Sequence, residues 1–298
     1  MNKSAILKVR RSIWSDAIVA ATLVLVGSMV VLAQAKVQQS QSSGAQSTAP
    51  NASQDQKAAD QKATAPPSQA SIEKGKSLLQ AAAKATGGDA LKAVHNVQVE
   101  TTGQAFNQGN TFDIQLLLTI EYPNKLHTQA TLPQGAIQQT FDGTNGWIVT
   151  DQGVIDLPEE YIAEFKRGIA LAGAWGLYRD VLDGKADGHF VDEEEVDGHK
   201  VEIVEWASDS GPVKLYFDAA SHLLTGAHFE AVTPQGPVQA DQRWSDFRAV
   251  SSCQYPYRSV VFHNGQKFTE TEVKSIKTNV SIDPTSFKKP STPPPSAQ

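Results

Sequence analysis

The chain is 298 residues long, enough for one large domain or two small ones, and 40% of its residues are hydrophobic. A net charge of -6 argues against nucleic acid or an acidic membrane surface as a partner. A single cysteine, Cys253, excludes an internal disulfide framework and any multi-cysteine metal site, and its expected place is the core, as a small hydrophobe.

Lys3, Lys8, Arg10 and Arg11 precede an uncharged apolar run from Ala17 to Ala35. Basic residues, an apolar stretch and then the small-residue pattern Ala33-Gln34-Ala35 describe a secretory signal. The run also approaches the roughly 20 apolar residues that span a bilayer. Residues 1–35 therefore read as a cleaved signal or as a retained inner-membrane anchor, and the positive-inside bias sends the rest of the chain out of the cytoplasm in either case. No cysteine follows the run, which argues against a lipid-modified N-terminus. Residues 36–70 are mostly Gln, Ser, Ala, Thr and Pro; with so little apolar surface to bury they read as a disordered tether. Residues 290–298, ending "PSTPPPSAQ", read as a second unstructured end, which leaves 71–289 as one domain.

That domain opens on "SIEKGKSLLQAAAKATGG", with Ser71 as N-cap, a stripe of Ile72, Leu78, Leu79 and Ala82 or Ala83, and Gly87-Gly88 as the stop. "DALKAVHN" adds a helical turn. Strand signals follow at Val97 and Val99, then in "TFDIQLLLTIEY", where Phe112, Ile114, Leu116, Leu118, Ile120 and Tyr122 share one face. Leu126–Leu132, Ile137–Phe141 and Trp147–Thr150 continue a meander through the turn signals Asp142-Gly143 and Asn145-Gly146. A helical segment then starts with Pro158 in its first turn, carries Glu159 and Glu160 where a helix N-terminus favours acids, and repeats Tyr161, Ile162, Phe165, Ile169 and Ala172 at helical spacing. Trp175, Leu177, Tyr178, Val181 and Leu182 extend its apolar content.

Strands resume at Phe190–Val196 and Lys200–Trp206, followed by a hairpin. In that hairpin Val213, Leu215 and Phe217 share a face, and Leu223, Thr225, Ala227 and Phe229 resume the period beyond a turn. Val238–Phe247, Arg258–His263 and Lys267–Ile276 follow, and Val280, Ile282 and Phe287 close the set. About eleven strands with two main helical segments predict a mainly β (α+β) fold, a single curled antiparallel sheet or open half-barrel whose concave side is plugged or lidded by helices. Such an interior is either a packed core or an apolar cavity.

Four stretches in this order, "GGDALKAVHNVQVE", "PNKLHTQATL…QTFDGTNGWIV", "VDGHKVEIV…GPVKLYFDAASHLLTG" and "WSDFRAVSSCQYPYRSVVFHNGQKFTETEVKSIKTNVSIDPTSF", resemble the LolA/LolB-like superfamily, in particular its outer membrane lipoprotein-sorting branch. The resemblance spans 71–287 and rests on the order and spacing of the pieces, most of which are hairpin turns. It implies a bacterial envelope protein, an open half-barrel with a helical lid, a cavity for acyl chains, and non-catalytic carriage of acyl chains or lipidated proteins in the periplasm by a monomer. The alternative on the same fold is a membrane-tethered sensor with an envelope membrane partner. Two features depart from that pattern: the long tether, and the lack of an acylation cysteine found in the receptor members. The arginine that locks the lid in the carriers has no matching motif here; Arg167 and Arg179 are positional candidates only. The expected lining is Val97, Val99, Phe112, Ile114, Leu116, Leu118, Ile120, Phe141, Leu215, Phe217 and Phe229 from strands, with Tyr161, Ile162 and Phe165 from the helical segment.

No cofactor and no metal are expected. The seven histidines include no H-E-x-x-H spacing, and His222 and His228 read as solvent-side residues opposite Leu223 and Phe229. Asp192–Glu195 reads as a solvated strand edge rather than a calcium site. Trp147, Trp175, Trp206 and Trp244 read as core or rim packing. There is no G-x-S-x-G elbow, phosphate loop or dinucleotide fingerprint, so no enzyme is expected, although carboxylates assembled only in three dimensions leave no trace in sequence. A reporter active only in the cytoplasm, fused after Gln69, is expected to give no signal; strong activity would contradict export.

Overall fold

The computed structural model describes residues 66–291, apart from 108, 133, 134, 152, 197 and 234. The signal or anchor at 1–35, all but the end of the tether at 36–70, and the tail past 291 lie outside the described residues. No helix of the described residues is long and apolar enough to cross a membrane.

The first helix, α1 (Gln69–Thr86), starts two residues before the expected N-cap, Ser71. Ser68 caps it, its Oγ accepting from the Ser71 amide. Ser71 does other work: its Oγ donates to the Phe190 carbonyl oxygen at 2.7 Å. The buried stripe is Gly75, Leu79, Ala82, Ala83 and Thr86 rather than one containing Ile72, which is exposed. Gly75 decides this, because a Cβ there would collide with the Gly188 carbonyl oxygen and the backbone of His189. Helix and strand touch backbone to backbone at that point. A 3₁₀ turn (Gly88–Ala93) follows, as "DALKAVHN" suggested.

The first meander is β1 (Asn96–Asn107), β2 (Asn110–Glu121), β3 (Lys125–Leu132), β4 (Gly135–Phe141), β5 (Gly146–Thr150) and β6 (Gly153–Asp156). Two helices, α2 (Glu159–Leu171) and α3 (Trp175–Leu182), meet at a break where Gly173 and Ala174 both have positive φ. Pro158 is the N-cap of α2 rather than its first helical residue. The second meander is β7 (Gly188–Val196), β8 (His199–Ser208), β9 (Gly211–Asp218), β10 (Leu224–Thr233), β11 (Gly236–Val250), β12 (Cys253–His263) and β13 (Gln266–Thr278).

All thirteen strands form one antiparallel sheet in the order β6-β5-β4-β3-β2-β1-β13-β12-β11-β10-β9-β8-β7. The sheet is open, with β6 and β7 at its ends, and the expected count of about eleven was low. The two meanders join where β1 pairs with β13, across a register shift at Glu100/Thr101. Antiparallel partners share a face, so one apolar surface can be followed across the sheet: Leu126 opposite Ile120, Ile120 opposite Val97, Phe229 opposite Ala240 and Val213, and Leu215 opposite Val204. In the hairpin Leu224, not Leu223, faces this surface, because a register shift between Leu224 and Gly226 offsets the alternation by one residue. The final apolar residues do not continue the sheet: β13 ends at Thr278, and Phe287, in a 3₁₀ turn (Pro284–Phe287), packs on the opposite face against His127, with ring centroids 6.4 Å apart. Asp192–Glu195 lies exposed on the edge strand β7, where Glu193 pairs with Lys74 at 2.9 Å and Lys200 at 2.5 Å. His228 sits half-buried, its Nδ1 2.8 Å from Asp241, and His222 is half-buried at the turn with a φ of 61°.

The three helices pack on the concave face and share one core with the sheet, with Leu79, Trp175, Tyr178, Phe165, Leu215 and Phe217 among its largest members. Trp175 Nε1 donates to the Gln254 carbonyl oxygen at 2.7 Å and its ring meets Tyr255 edge-on at 5.2 Å. Trp147, Trp175 and Trp244 are buried and Trp206 packs at the margin; Cys253 is buried, and burial raises its thiol pKa. Gly75→Ala is expected to destabilise the fold by about 1–3 kcal/mol, since the backbone clash outweighs the better helix propensity of alanine; a thermal midpoint equal to wild type would contradict this docking.

Candidate functional site

Helix α2 crosses the concave face as an arch, contacting β3 on one flank and β10 on the other. On the first flank Phe165 stacks on Phe141, with ring centroids 5.8 Å apart and planes 20° apart. On the second flank the attachment is polar. Arg167 Nη1 donates to Ser210 Oγ at 2.7 Å and to the Glu230 carbonyl oxygen at 3.2 Å, and its guanidinium lies 4.0 Å over the Phe229 ring. Nη2 of the same arginine holds Glu164 Oε2 in a short ion pair one helical turn away.

Between the two footings the arch spans the middle strands, and a slot of about 80 Å³ remains beneath it. Val99, Leu116, Leu118, Val273 and Val261 form its apolar floor, and Gly168, Leu171 and Ala172 form part of its roof. Phe229, Trp244, Tyr255 and Tyr257 supply aromatic walls, with Thr101, Gln242, Ser259, His263 and Thr271 set among them. The volume is about half that of an engineered apolar cavity of ~150 Å³ that takes up benzene. The slot therefore admits a few methylenes as it stands, and a longer chain needs α2 to move outward.

Four of the residues expected to line a cavity come together here: Val99, Leu116, Leu118 and Phe229. Val97, Ile114, Ile120, Phe141, Leu215, Phe217, Tyr161 and Phe165 are instead buried in packed core, and Phe112 and Ile162 are half-buried against it. Sequence reading passed over the contribution of β11, β12 and β13, whose slot-facing residues mix Ala240, Gln242, Ser259 and Thr271 with larger apolar ones. It also passed over Glu164, and it named Arg167 only as a positional candidate; both are nearly fully buried. The available signal was the i,i+3 spacing of opposite charges inside an otherwise apolar helix face.

Electrostatically the slot is close to neutral. Burial pushes the Glu164 carboxyl up to about 7, against the opposing pull of the Arg167 guanidinium, and burial lowers the Arg167 pKa in turn. His263 stacks on Phe268 at 4.1 Å, and burial lowers its pKa to about 4, so its imidazole is neutral at pH 7. The second positional arginine, Arg179, lies elsewhere. Its Nη1 donates to the carbonyl oxygens of Leu91 and Val94, and it ties α3 to the 3₁₀ turn. Among the described residues no group of three His, Cys, Asp or Glu side chains could hold a metal ion.

No family model matches the chain, and no curated protein matches it. Among solved structures it is similar to a domain named as an outer membrane lipoprotein-sorting protein from Vibrio parahaemolyticus, at 12% identity over 73% of this chain and 97% of that one, with a TM-score of 0.49. The chain is similar to lipoprotein-sorting and LolA-superfamily structures. The LolA superfamily protein, from Nitrosomonas europaea, is 14% identical over 72% of this chain and 97% of its own, with a TM-score of 0.49. A DUF1329 family protein from Desulfovibrio piger is 12% identical over 73% and 97%, also at 0.49.

Arg167→Met is expected to cost about 3–5 kcal/mol, because it leaves the Glu164 carboxyl buried without its counter-charge. The double variant Arg167→Met/Glu164→Leu is expected to recover most of that loss in chemical unfolding; an additive double variant would contradict the coupling.

Proposed function

We propose that this protein is a non-catalytic binding protein of the bacterial envelope that takes acyl chains, free or attached to another molecule, into the slot beneath α2. The observation that carries this reading is the slot itself: an apolar floor from the middle strands, roofed by a helix footed on both flanks of the sheet. The driving force is hydrophobic, about 0.8 kcal/mol for each methylene buried. Much of α2 packs into the core and against α3. Its footings on the two flanks of the sheet are few, ring stacking on one side and one arginine on the other, which suits a roof that must lift for a longer chain. The apolar run at 17–35 supports export, and with it an envelope location.

Titration of the full-length protein with a fluorescent acyl probe tests the reading. Val273, half-buried on the slot floor, can be enlarged without opening the core. Val273→Trp is expected to weaken probe binding by about ten-fold or more by filling the space. Phe217→Ala, in packed core, is expected to cost ~3–5 kcal/mol of stability while leaving probe affinity near wild type. A Val273→Trp variant that binds as well as wild type would refute the slot as the site. A chain that co-purifies with a membrane protein and binds no acyl probe would favour the sensor alternative.

A further inference from the structure

We propose that the slot selects among acyl ligands by a hydrogen-bond donor at the head of the chain, a hydroxyl or an amide N–H, received by Glu164 Oε1. The inference rests on reading the slot as an acyl site and adds the head-group chemistry. Glu164 lines the slot, its side chain is fully buried, and its Oε1 makes no hydrogen bond of good geometry among the described residues, although the Val232 backbone N–H favours the charged carboxylate. Its other oxygen is held by Arg167. That arginine is itself committed to the wall, to Ser210 Oγ, the Glu230 carbonyl oxygen and the Phe229 ring. The pair is neutral as a unit, and what it adds to the slot lining is an acceptor rather than a positive charge.

A buried acceptor without a donor bears the desolvation cost of that group, and a ligand that supplies the donor removes it. A fatty carboxylate would set oxygen against oxygen, and a simple ester brings only further acceptors. Sites built around one buried polar group reject analogues lacking the matching group far more strongly than apolar pockets reject a change of shape. His263 Nε2, the other slot-lining side-chain atom without a partner among the described residues, belongs to a neutral imidazole and adds no charge to oppose this preference.

Decanol, methyl decanoate and decanoate, which differ only at the head, should be compared by displacement of a fluorescent acyl probe from the full-length protein. The measurement belongs at about pH 8.5, above the value near 7 of Glu164. Decanol is expected to bind about ten- to a hundred-fold tighter than methyl decanoate, and decanoate most weakly. In Glu164→Gln the amide oxygen stays on Arg167 and the amide N–H faces the slot, so the preference is expected to move toward the ester. Equal binding of alcohol and ester, or an unchanged preference in Glu164→Gln, would overturn the inference while leaving the acyl site standing. Failure of all three to displace the probe would overturn the acyl site and the inference together. The ligand comparison on the unaltered protein decides the matter even if the variant does not fold.

Discussion

One requirement organises this molecule: a thirteen-stranded antiparallel sheet with one continuous apolar face has to keep that face from water. A sheet this wide cannot stay flat, because each strand twists against the next, and the accumulated twist brings its two flanks toward each other. Three helices are too few to tile such a surface as a layer. The chain covers the β7 end with α1 at backbone contact through Gly75, and wedges α3 into the core through Trp175 and Tyr178. The middle is left to α2, which reaches both flanks and roofs the strands between them. The slot is thus a consequence of coverage by bridging, and the residues beneath the arch are a part of the apolar face left incompletely filled.

The pair formed by Glu164 and Arg167 shows why that bridge is polar on one side. A wholly apolar footing would hold the helix by contact area alone. A buried guanidinium with fixed partners at Ser210 and the Glu230 backbone adds direction and register at little net stability, since desolvating two charges offsets most of their attraction. The arrangement specifies where the helix sits more than how tightly it is held.

Much of the architecture was legible in the residues. The alternation from Phe112 to Tyr122 is clean because that strand has one buried face, and the turn signals at Asp142-Gly143 and Asn145-Gly146 are local chemistry. The losses have equally local reasons. The strand Gly153–Asp156 is four residues long and nowhere fully buried, so it offers no period to detect. The hairpin face slipped by one residue at Leu224 because a register shift is invisible to strict alternation. The site was the least legible part. Its floor draws on β1, β2 and β11–β13, which come together only through the pairing of the first strand with the last. Two of its most distinctive residues are charged and in a helix, a pattern that reads as a solvated face until the fold buries it.

The pairing of β1 with β13 also dictates how the chain reaches its native state. Each meander is built from neighbouring hairpins, which form quickly because their loops are short. The seam between them joins Val97 to Thr278 and Ala105 to Thr269, partners separated by most of the domain. Until the last strand is in place, β1 and β12 both expose unpaired edges, and the slot, which straddles the seam, does not exist. A chain emerging N-terminus first therefore keeps the edge of β1 unpaired until its last strand has emerged, the state in which strand-rich proteins associate wrongly. Completion of the seam and creation of the binding site are one event, so an assembled slot reports a finished fold.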